Sequence, residues 1–435
     1  MKLHGTKVPH CKNTADMAPE ALPVPKAVTI PMSMHIGKPS KPVVKRGDEV
    51  KVGTLIAEPD GYVSAPIFSS VSGKVAKIDS MKMSSGQSVE TIVIETDGLQ
   101  ELDPSLKPPK IYSFDSLVEA MKQSGLVGLG GAGFPSFVKF AVKDLSKVEV
   151  VVINAAECEP YITSDTRTML DKTEYIFKGI DLVKKYLGVK RFVIGVEDNK
   201  PQCVEKLREF GKNRDDVEIC VVPAIYPQGG EKVLVYNTTG KIIPQGGLPL
   251  NVGVIVINVT SIAYFGEYAE TGVPLVNKVI TVDGSAIKEP KNLIAPIGTP
   301  IKDLLEYCGT KCEPAKILYG GPMMGIAVPS DDCPVLKMTN AIIAMDEKDA
   351  AEKKPTPCIN CGRCLSHCPL KLDPRAISRA YNAGSGEELE DLCADLCMEC
   401  GCCSYVCPAK RPLVQTNKLA KALLREYKSK KEEKK

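Results

Sequence analysis

Ten of the seventeen cysteines in this 435-residue chain fall between Cys358 and Cys407, and eight of them form two copies of one spacing. The spacing is C-x2-C-x2-C-x3-C followed by proline, which is typical of proteins that hold two four-iron, four-sulfur clusters. Three closely spaced thiolates can hold three corners of a cubane, while the fourth cysteine faces the other cluster. We therefore predict the ligands of the first cluster as Cys358, Cys361, Cys364 and Cys407, and those of the second as Cys397, Cys400, Cys403 and Cys368.

Zinc is the alternative metal. A zinc site needs four ligands, but it requires neither the third closely spaced cysteine nor the trailing proline that both runs contain, so these features favour iron–sulfur clusters. Cys393 and Cys402 lie outside the spacing and are predicted to be small packed residues. The remaining cysteines are scattered and are predicted to be buried hydrophobic residues. Iron–sulfur clusters carry single electrons and do no organic chemistry, so a donor site is expected elsewhere in the chain.

The segment 128–133 contains the letters G-x-G-x-x-G, and its context decides how it is interpreted. A dinucleotide-binding fingerprint follows a strand, whereas the residues before this loop, 114–124, look helical and the first clear strand comes later, at Val148. The loop still offers backbone N–H groups to an anion, and Lys139 can pair with a phosphate. The segment therefore predicts a phosphate-binding loop outside an ordinary Rossmann fingerprint.

Three segments together carry a family resemblance: Gly-Gly-Ala-Gly-Phe-Pro at 130–135, Asn-Ala-Ala-Glu-Cys-Glu-Pro at 154–160, and Tyr-Pro-Gln-Gly-Gly-Glu-Lys at 226–232. With Lys139 they resemble the flavin and NADH site of the complex I flavoprotein subunit. The closer resemblance is to the RnfC family of the Rnf electron transport complex, in which this site lies between a carrier-like barrel and a β-grasp module, with two cysteine runs behind. The chain reproduces that order from about residue 26 to 410.

The resemblance implies that FMN and NADH are the cofactor and the electron donor. It implies that FMN is held by Gly128, Gly130, Lys139 and Asn154, and that around it lie Glu157, Tyr226, Gly229, Asn258 and Ser261. The residues implied to face NADH are Glu159, Glu231 and Phe134. Carboxylates can accept hydrogen bonds from ribose hydroxyls and would repel the extra phosphate of NADPH, so NADH is the expected donor.

This chain departs from the complex I pattern at three positions. Leu129 is found where the complex I subunit has Arg, Ala156 where it has Asp, and Gly230 where it has the first of two Glu. Two alternatives to a component of an Rnf complex therefore stay open. One is a similar flavin-dependent cobalamin reductase of bacterial microcompartments, and the other is an iron–sulfur adaptor that docks ferredoxin without flavin chemistry.

The expected fold class is a multidomain α/β protein with five parts. Gly47-Asp48 and Ala65-Pro66 resemble the paired turns of lipoyl and biotinyl carriers, although the hairpin 58–62 has no lysine to modify and Lys82 is predicted to be solvated. Apolar runs at 148–153, 192–196, 219–222 and 254–259 predict buried parallel strands. The predicted parts are a barrel-sandwich hybrid at 1–105, a Rossmann-like FMN and NADH domain at 106–275, a β-grasp module of the SLBB type at 276–335, a ferredoxin-like helical domain with two clusters at 336–415 and a basic tail at 416–435.

The charge balance, 56 Lys and Arg against 53 Asp and Glu, argues against a nucleic-acid partner. The chain shows no apolar run of the ~20 residues that a spanning helix needs and no secretory signal at its start. We expect a peripheral protein on the cytoplasmic face of the cell membrane. The expected partners are the membrane subunits and the iron–sulfur subunit of an Rnf complex and, directly or indirectly, ferredoxin; the barrel and the β-grasp module are expected to be docking surfaces. The basic tail could lie on anionic lipid or an acidic partner.

Overall fold

The structure is a computed structural model, and it describes residues 4–84 and 86–432. Residues 4–25 contact two later units, although we expected them to belong to the barrel at 1–105. Strand β1 (Glu20–Ala21) pairs in parallel with residues 291–296, and Thr6 forms a bridge with Tyr226. Leu22 is buried in the core of the β-grasp unit, which explains why this segment leaves the barrel.

Seven strands form the barrel as two sheets, one of four strands and one of three. In the larger sheet, alternate residues such as Val28 and Ile30 face the core and are fully buried, as expected for strands with one face toward a core. Lys82 is exposed at the end of its strand. The strands are β2 (Ala27–Pro31), β3 (Lys41–Pro42), β4 (Glu49–Val50), β5 (Leu55–Glu58), β6 (Ile67–Phe68), β7 (Gly73–Lys82) and β8 (Ser88–Thr96).

The second unit contains a four-stranded parallel sheet with helices around it, as the four apolar runs predicted. Two of these helices, Ser164–Asp171 and Thr173–Leu187, are separated by Lys172, whose backbone is not helical. The elements are α1 (Phe114–Gln123), α2 (Ser136–Phe140), β9 (Val150–Ala155), α3 (Ser164–Asp171), α4 (Thr173–Leu187), β10 (Phe192–Glu197), α5 (Pro201–Phe210), β11 (Val217–Val222), α6 (Glu231–Thr239), β12 (Val254–Asn258) and α7 (Val259–Thr271).

The strand order of this sheet is β11-β10-β9-β12, so the chain returns to the opposite side of β9 to form its last strand. Ligands of open parallel sheets bind at the carboxyl ends of the strands, where the order reverses. At this point β9 and β12 lie side by side, and Asn154 is paired with Asn258. Both are predicted flavin-site residues, so the topology brings them together.

A six-stranded mixed sheet with the order β1-β14-β13-β17-β15-β16 forms the third unit. Its strand β17 lies beyond the expected boundary at 335, because four consecutive buried apolar residues, 341–344, suit the interior of a sheet. The elements are β13 (Asn277–Asp283), β14 (Lys291–Pro296), α8 (Ile301–Cys308), β15 (Lys316–Tyr319), β16 (Ile326–Ala327) and β17 (Ala341–Met345).

Short helices around the cysteine runs form the last unit. The final helix buries Ala420 and Leu424 against the helices at 374–382 and 386–391, so residues 416–432 belong to this unit and do not form a separate tail. No helix within the described ranges is both long and apolar enough to cross a membrane. The helices are α9 (Glu347–Ala350), α10 (Arg363–Ser366), α11 (Pro374–Asn382), α12 (Gly386–Asp391), α13 (Cys402–Tyr405) and α14 (Leu413–Glu432).

Candidate functional site

The glycine loop, residues 128–133, is a turn closed at both ends by backbone hydrogen bonds. The N–H of Gly128 donates to the carbonyl of Phe134 over 2.8 Å, and that of Gly133 donates to the carbonyl of Gly128 over 3.1 Å. Gly131 has a φ of 110° and Gly133 one of 65°, which favour glycine. Residues 130–132 are exposed, and their N–H groups make no hydrogen bond within the described chain. The loop therefore fits an anionic group such as a flavin phosphate.

Residues from α7 hold this loop from behind. The hydroxyl of Ser261 accepts a hydrogen bond from the N–H of Leu129 over 3.0 Å, and the side chain of Asn258 caps α7 by accepting from the N–H of Ser261 over 3.1 Å. A methyl group at Gly130 would lie only 3.0 Å from Asn258 Nδ2. Glycine at this position therefore lets the loop approach the carboxyl end of β12.

Asn154 and Gly229 are joined at the carboxyl end of β9. Asn154 Nδ2 donates to the carbonyl of Gly229 over 2.8 Å, and its Oδ1 accepts from the N–H of Ala156 over 3.3 Å. The N–H of Gly229 donates to Cys158 Sγ over 3.2 Å. Both predicted flavin-site residues therefore lie beside the place where the strand order reverses.

Lys139 lies between a carboxylate and the sheet. Its Nζ donates to Glu231 Oε2 over 2.9 Å and to the carbonyl of Val256 over 3.1 Å. The pair is partly open, since 31% of the lysine side chain and 40% of the glutamate side chain are exposed. A half-exposed ion pair contributes only about 0–1 kcal/mol, so little is lost when Lys139 turns toward a phosphate.

Glu157 is buried, and its carboxylate caps α3. It accepts hydrogen bonds from the N–H groups of Asp165 over 2.6 Å and Thr166 over 3.3 Å, and from the Thr166 hydroxyl. Burial raises the pKa of this carboxyl above its ordinary value. Glu157 thus positions α3 at the edge of the site.

The carboxylate of Glu159, which we expected to face NADH, is instead buried against the segment 319–325. It accepts hydrogen bonds from the N–H groups of Met323 over 3.1 Å and Met324 over 2.8 Å, and its Oε1 lies 3.3 Å from the Tyr226 hydroxyl oxygen. Burial raises the pKa of Glu159. A desolvated carboxylate needs such donors, and the glycine-rich segment supplies two of them. Phe134, the other NADH-facing candidate beside Glu231, is half-buried at the end of the glycine loop.

Lys12 supports residues 157–163, which we call the acidic loop. Its Nζ donates to the carbonyls of Glu157 over 2.8 Å, Glu159 over 2.8 Å and Ile162 over 2.5 Å. These three bonds use all three protons of the ammonium group. No pattern along the chain marks this lysine, because its partners lie 145 to 150 residues away.

Asp165 was also missed, although the sequence contains a signal for it. It is buried and accepts from Asn258 Nδ2 over 2.8 Å and from the Thr260 hydroxyl over 2.6 Å. Burial raises its pKa. Asp165 belongs to a run of five polar residues, 164–168, at the start of α3, all of them buried. Such a run in a helix beside a ligand-binding edge indicates a polar network.

Two cavities in the last unit are each lined by four of the eight predicted cluster ligands. Around the outer cavity lie Cys358, Cys361, Cys364 and Cys407. Around the inner cavity lie Cys368, Cys397, Cys400 and Cys403. Each set takes three cysteines from one run and one from the other, and four thiolates around a cavity fit one cubane. Cys402 also lines the inner cavity, and its sulfur lies 3.8 Å from the carbonyl of Tyr226.

N–H groups from outside the second cysteine run point at sulfurs of the inner cavity. The backbone N–H of Leu372 donates to Cys368 Sγ over 3.4 Å, and Asn417 Nδ2 donates to Cys397 Sγ over 3.6 Å. Hydrogen bonds to the sulfurs are one of the means by which proteins set a cluster's reduction potential. Asn417 belongs to α14, so this helix contributes to the site.

Tyr226 links the inner cavity to the flavin site. Its buried hydroxyl donates to the carbonyl of Cys400 over 2.7 Å, and the segment after it leads to Gly229. At the residue after Gly229, a methyl group on Gly230 would lie 2.2 Å from the terminal carbon of Met398, so Gly230 packs closely against this side chain. The inner cavity therefore adjoins the carboxyl end of the sheet through direct contacts.

Four family models match the chain in the order of its units. They are described as the RnfC barrel sandwich hybrid domain at residues 2–99, the Nuo51 FMN-binding domain at 121–265, the SLBB domain at 279–327 and a 4Fe-4S dicluster domain at 357–411.

Curated relatives are similar over most of their length. The C subunit of the proton-translocating ferredoxin:NAD(+) oxidoreductase complex of Clostridium ljungdahlii is 42% identical over 84% of this chain and 81% of its own. The Na(+)-translocating counterpart of Acetobacterium woodii is also 42% identical, over 91% and 90%. The C subunit of the ion-translocating oxidoreductase complex of Rhodobacter capsulatus is 37% identical over 97% and 82%.

A solved structure of an NAD+-reducing NiFe hydrogenase in the H2-reduced state has a related fold. The TM-score is 0.50 at 17% identity, over 72% of this chain and 63% of the other. At that identity the likeness concerns the fold alone. The identities and coverage of the curated relatives confirm the resemblance on which the sequence analysis relied, and the chain belongs to the RnfC family, the C subunits of Rnf complexes.

Proposed function

We propose that this chain is the NADH-oxidising peripheral subunit of an ion-translocating ferredoxin:NAD+ oxidoreductase. Its family membership, its FMN-binding domain and its dicluster domain support this activity. The observation that carries the proposal is the hydrogen bond from Tyr226 to the carbonyl of Cys400, because it joins the sheet edge that holds the flavin-site residues to the inner cavity. The curated relatives named above also favour a component of an Rnf complex over a cobalamin reductase.

In this proposal FMN lies at the carboxyl ends of β9 and β12. The free N–H groups of residues 130–132 and the ammonium of Lys139 hold its phosphate, and Asn154 and Gly229 lie beside its ring system. Gly128 closes the loop, while Ser261 and Asn258 hold it in place from α7. Bound FMN accepts two electrons together from NADH and releases them one at a time.

NADH would bind over the partly open pair of Lys139 and Glu231, with Phe134 available to stack on a flat ring. Glu231 can accept hydrogen bonds from ribose hydroxyls once Lys139 has turned to the phosphate. Glu159 takes part in this site as a brace, since its carboxylate fixes residues 323 and 324. The remaining negative charge disfavours the extra phosphate of NADPH.

Two four-iron, four-sulfur clusters would fill the two cavities, each held by the four cysteines that line it. The inner cluster would exchange electrons with the flavin, because its cavity adjoins Tyr226, and the outer cluster would exchange them with a partner. The membrane subunits and the iron–sulfur subunit of the complex and, directly or through them, ferredoxin would be those partners at the cytoplasmic face of the membrane.

The test is an anaerobic NADH titration of the chain after reconstitution with FMN, iron and sulfide, followed by its absorption spectrum. We expect both the flavin band and the cluster bands to bleach with NADH and to respond far less to NADPH. If dithionite bleaches the clusters while NADH changes neither band, the donor site is misassigned, and an adaptor without flavin chemistry becomes the better account.

A further inference from the structure

The outer cavity lies at a surface whose charge fits one kind of partner. We propose that the rim of the outer cavity, defined by Ile359, Arg375, Arg379 and Arg411, docks an acidic electron-transfer protein whose own redox centre is ringed by carboxylates. The inference rests on the proposed function, in which electrons leave through the outer cluster, and it adds the surface and the chemistry of the partner.

Exposure distinguishes the two cavities. Every residue from 351 to 361 is exposed, including the ligands Cys358 and Cys361, and 66% of Ile359 is accessible to solvent. At the inner cavity, by contrast, Cys400 and Cys403 are buried. A partner can therefore approach two of the outer ligands directly, whereas none of the four inner ligands is exposed.

Charge is also concentrated at the outer cavity, because three arginines line it. Arg375 is compensated, since its guanidinium pairs with Asp373 over 3.1 Å. Within residues 4–84 and 86–432, Arg379 and Arg411 pair with no carboxylate. A four-iron cluster held by four thiolates is itself anionic, so these two guanidinium groups offset its charge at the rim, and their planar donors match the carboxylates of a partner.

No arginine lies among the described residues that line the inner cavity. Lys421 donates to the carbonyl of Cys397 over 2.9 Å and is paired with Glu399 over 2.6 Å. Glu399 also faces Lys418 at 3.9 Å. Arginines without a paired carboxylate therefore distinguish the lining of the outer cavity from the described lining of the inner one.

The exchange at this surface is simple, and it balances without protons. The reduced outer cluster gives one electron to the oxidised centre of the partner, so the cluster is oxidised and the partner is reduced by one electron. Complementary charge raises the rate of encounter by about 10- to 1000-fold at low ionic strength and aligns the two centres. The exposed apolar side chain of Ile359 supplies contact area that does not depend on salt.

The test uses the full chain with FMN and both clusters, reduced by dithionite without NADH. Its oxidation is followed by the recovery of cluster absorbance after mixing with an anionic acceptor, hexacyanoferrate(III), or a cationic one, hexaammineruthenium(III). In the double variant Arg379→Gln and Arg411→Gln we expect the rate with hexacyanoferrate(III) to fall several-fold at low salt, and the rate with hexaammineruthenium(III) to rise. Raising the salt should bring the parent and variant rates together.

Two control pairs separate charge from folding. Arg379→Lys with Arg411→Lys keeps the charge and should keep the rates. Arg208→Gln with Lys212→Gln removes the same charge from exposed positions at the end of α5 and should have no effect. Iron content must equal that of the parent in every variant.

A second readout needs no electron transfer. Binding of an acidic two-cluster ferredoxin to the oxidised chain, measured by surface plasmon resonance, should weaken by about tenfold in the glutamine variant at low salt. Equal hexacyanoferrate(III) rates in parent and glutamine variant, or equal ferredoxin affinities, would overturn the proposal. Because dithionite replaces NADH, a failure here is distinct from a failure of NADH to bleach the flavin, which would overturn the proposed function.

Discussion

At the scale of single residues, several polar groups of this chain act from buried positions. Lys337 is fully buried, and its Nζ donates to the carbonyl of Pro66 in the barrel over 2.6 Å and to that of Gly125 before the glycine loop over 2.8 Å. Burial lowers the pKa of Lys337 to about 7. A neutral amine has two protons, which is the number that these two carbonyls accept.

The titration of Lys337 makes stability depend on pH with a definite sign. Between pH 7 and the ordinary lysine pKa of 10.5, the unfolded chain binds a proton at this residue that the folded chain does not. The free energy of unfolding should therefore rise as the pH rises through this window. We expect Lys337→Met to lose that part of the slope between pH 7 and 9, measured by urea unfolding.

The same substitution should lower stability most at high pH, because it leaves two buried carbonyls without a donor, at about 1–3 kcal/mol each, while folding there no longer requires the loss of a proton from Lys337. Lys82→Met, at an exposed lysine on β7, is the matched control and should leave both the slope and the midpoint unchanged. A slope that is the same in the parent and in Lys337→Met would contradict the assignment.

Two neighbouring cysteines test which sulfurs are ligands. Cys403 fits the spacing and lines the inner cavity, while Cys402 lines the same cavity outside the spacing. We expect Cys403→Ala to lose the inner cluster, so that iron falls from about eight to about four atoms per chain, and Cys402→Ala to keep both clusters. Iron and sulfide analysis after anaerobic reconstitution decides the question, and the reverse pattern would make Cys402 the ligand.

At the scale of elements, the sequence predicted structure where the pattern is local. The four apolar runs predicted the parallel sheet, because strands covered on both faces must be apolar throughout. The glycine loop and the two cysteine runs also have local signatures. Contacts such as those of Lys12 and strand β1 could not be predicted, because pairing between distant segments leaves no periodic pattern.

The burial of the Glu159 carboxylate could not be predicted from the sequence either. A carboxylate in a loop after a strand looks available to a ligand, but the segment that buries it, 319–325, comes from another unit. Likewise, the lysines of α14 looked like a free basic surface, whereas Lys421, Lys428 and Lys431 form ion pairs with carboxylates of the cluster unit. Charge in a sequence does not reveal its partners.

The hydrogen bonds by which Lys12 holds the acidic loop, residues 157–163, can be tested by substitution. We expect Lys12→Met to loosen residues 157–163, because three carbonyls lose their donor, and to speed amide exchange there measured by mass spectrometry. Exchange in the barrel should not change. Lys7→Met, at an exposed lysine of the same segment, is the control. Equal amide exchange at residues 157–163 in both variants would show that Lys12 does not hold this loop.

At the scale of the whole molecule, contacts give the predicted sites an order. The predicted flavin-site residues lie at the switch point of the sheet, the inner cavity adjoins them through Tyr226, and the outer cavity has exposed residues in its lining. The sequence predicted both sets of four cysteines, but which of the two cavities adjoins the sheet depends on how the last unit packs against Tyr226.

This order predicts different results for losing each cluster. With Cys403→Ala, NADH should still bleach the flavin, while the outer cluster is reduced much more slowly by NADH than by dithionite. With Cys361→Ala, NADH should still reduce the inner cluster, and transfer to ferredoxin should fall sharply. Stopped-flow absorbance and electron paramagnetic resonance distinguish the two, and fast reduction of the outer cluster in Cys403→Ala would reverse the order.

The contacts of residues 4–25 have a consequence for synthesis on the ribosome. This segment emerges before the residues that it contacts, since Glu20 pairs with Lys291, which lies 271 residues later, and Tyr226 reaches Cys400 only after 174 more residues. Such contacts of high sequence separation form late, since long loops must close first. The surroundings of Glu159 and Tyr226 are therefore complete only after residue 400 has been synthesised, by which point the first cysteine run and half of the second have been made, so that the cluster unit and the donor site mature together.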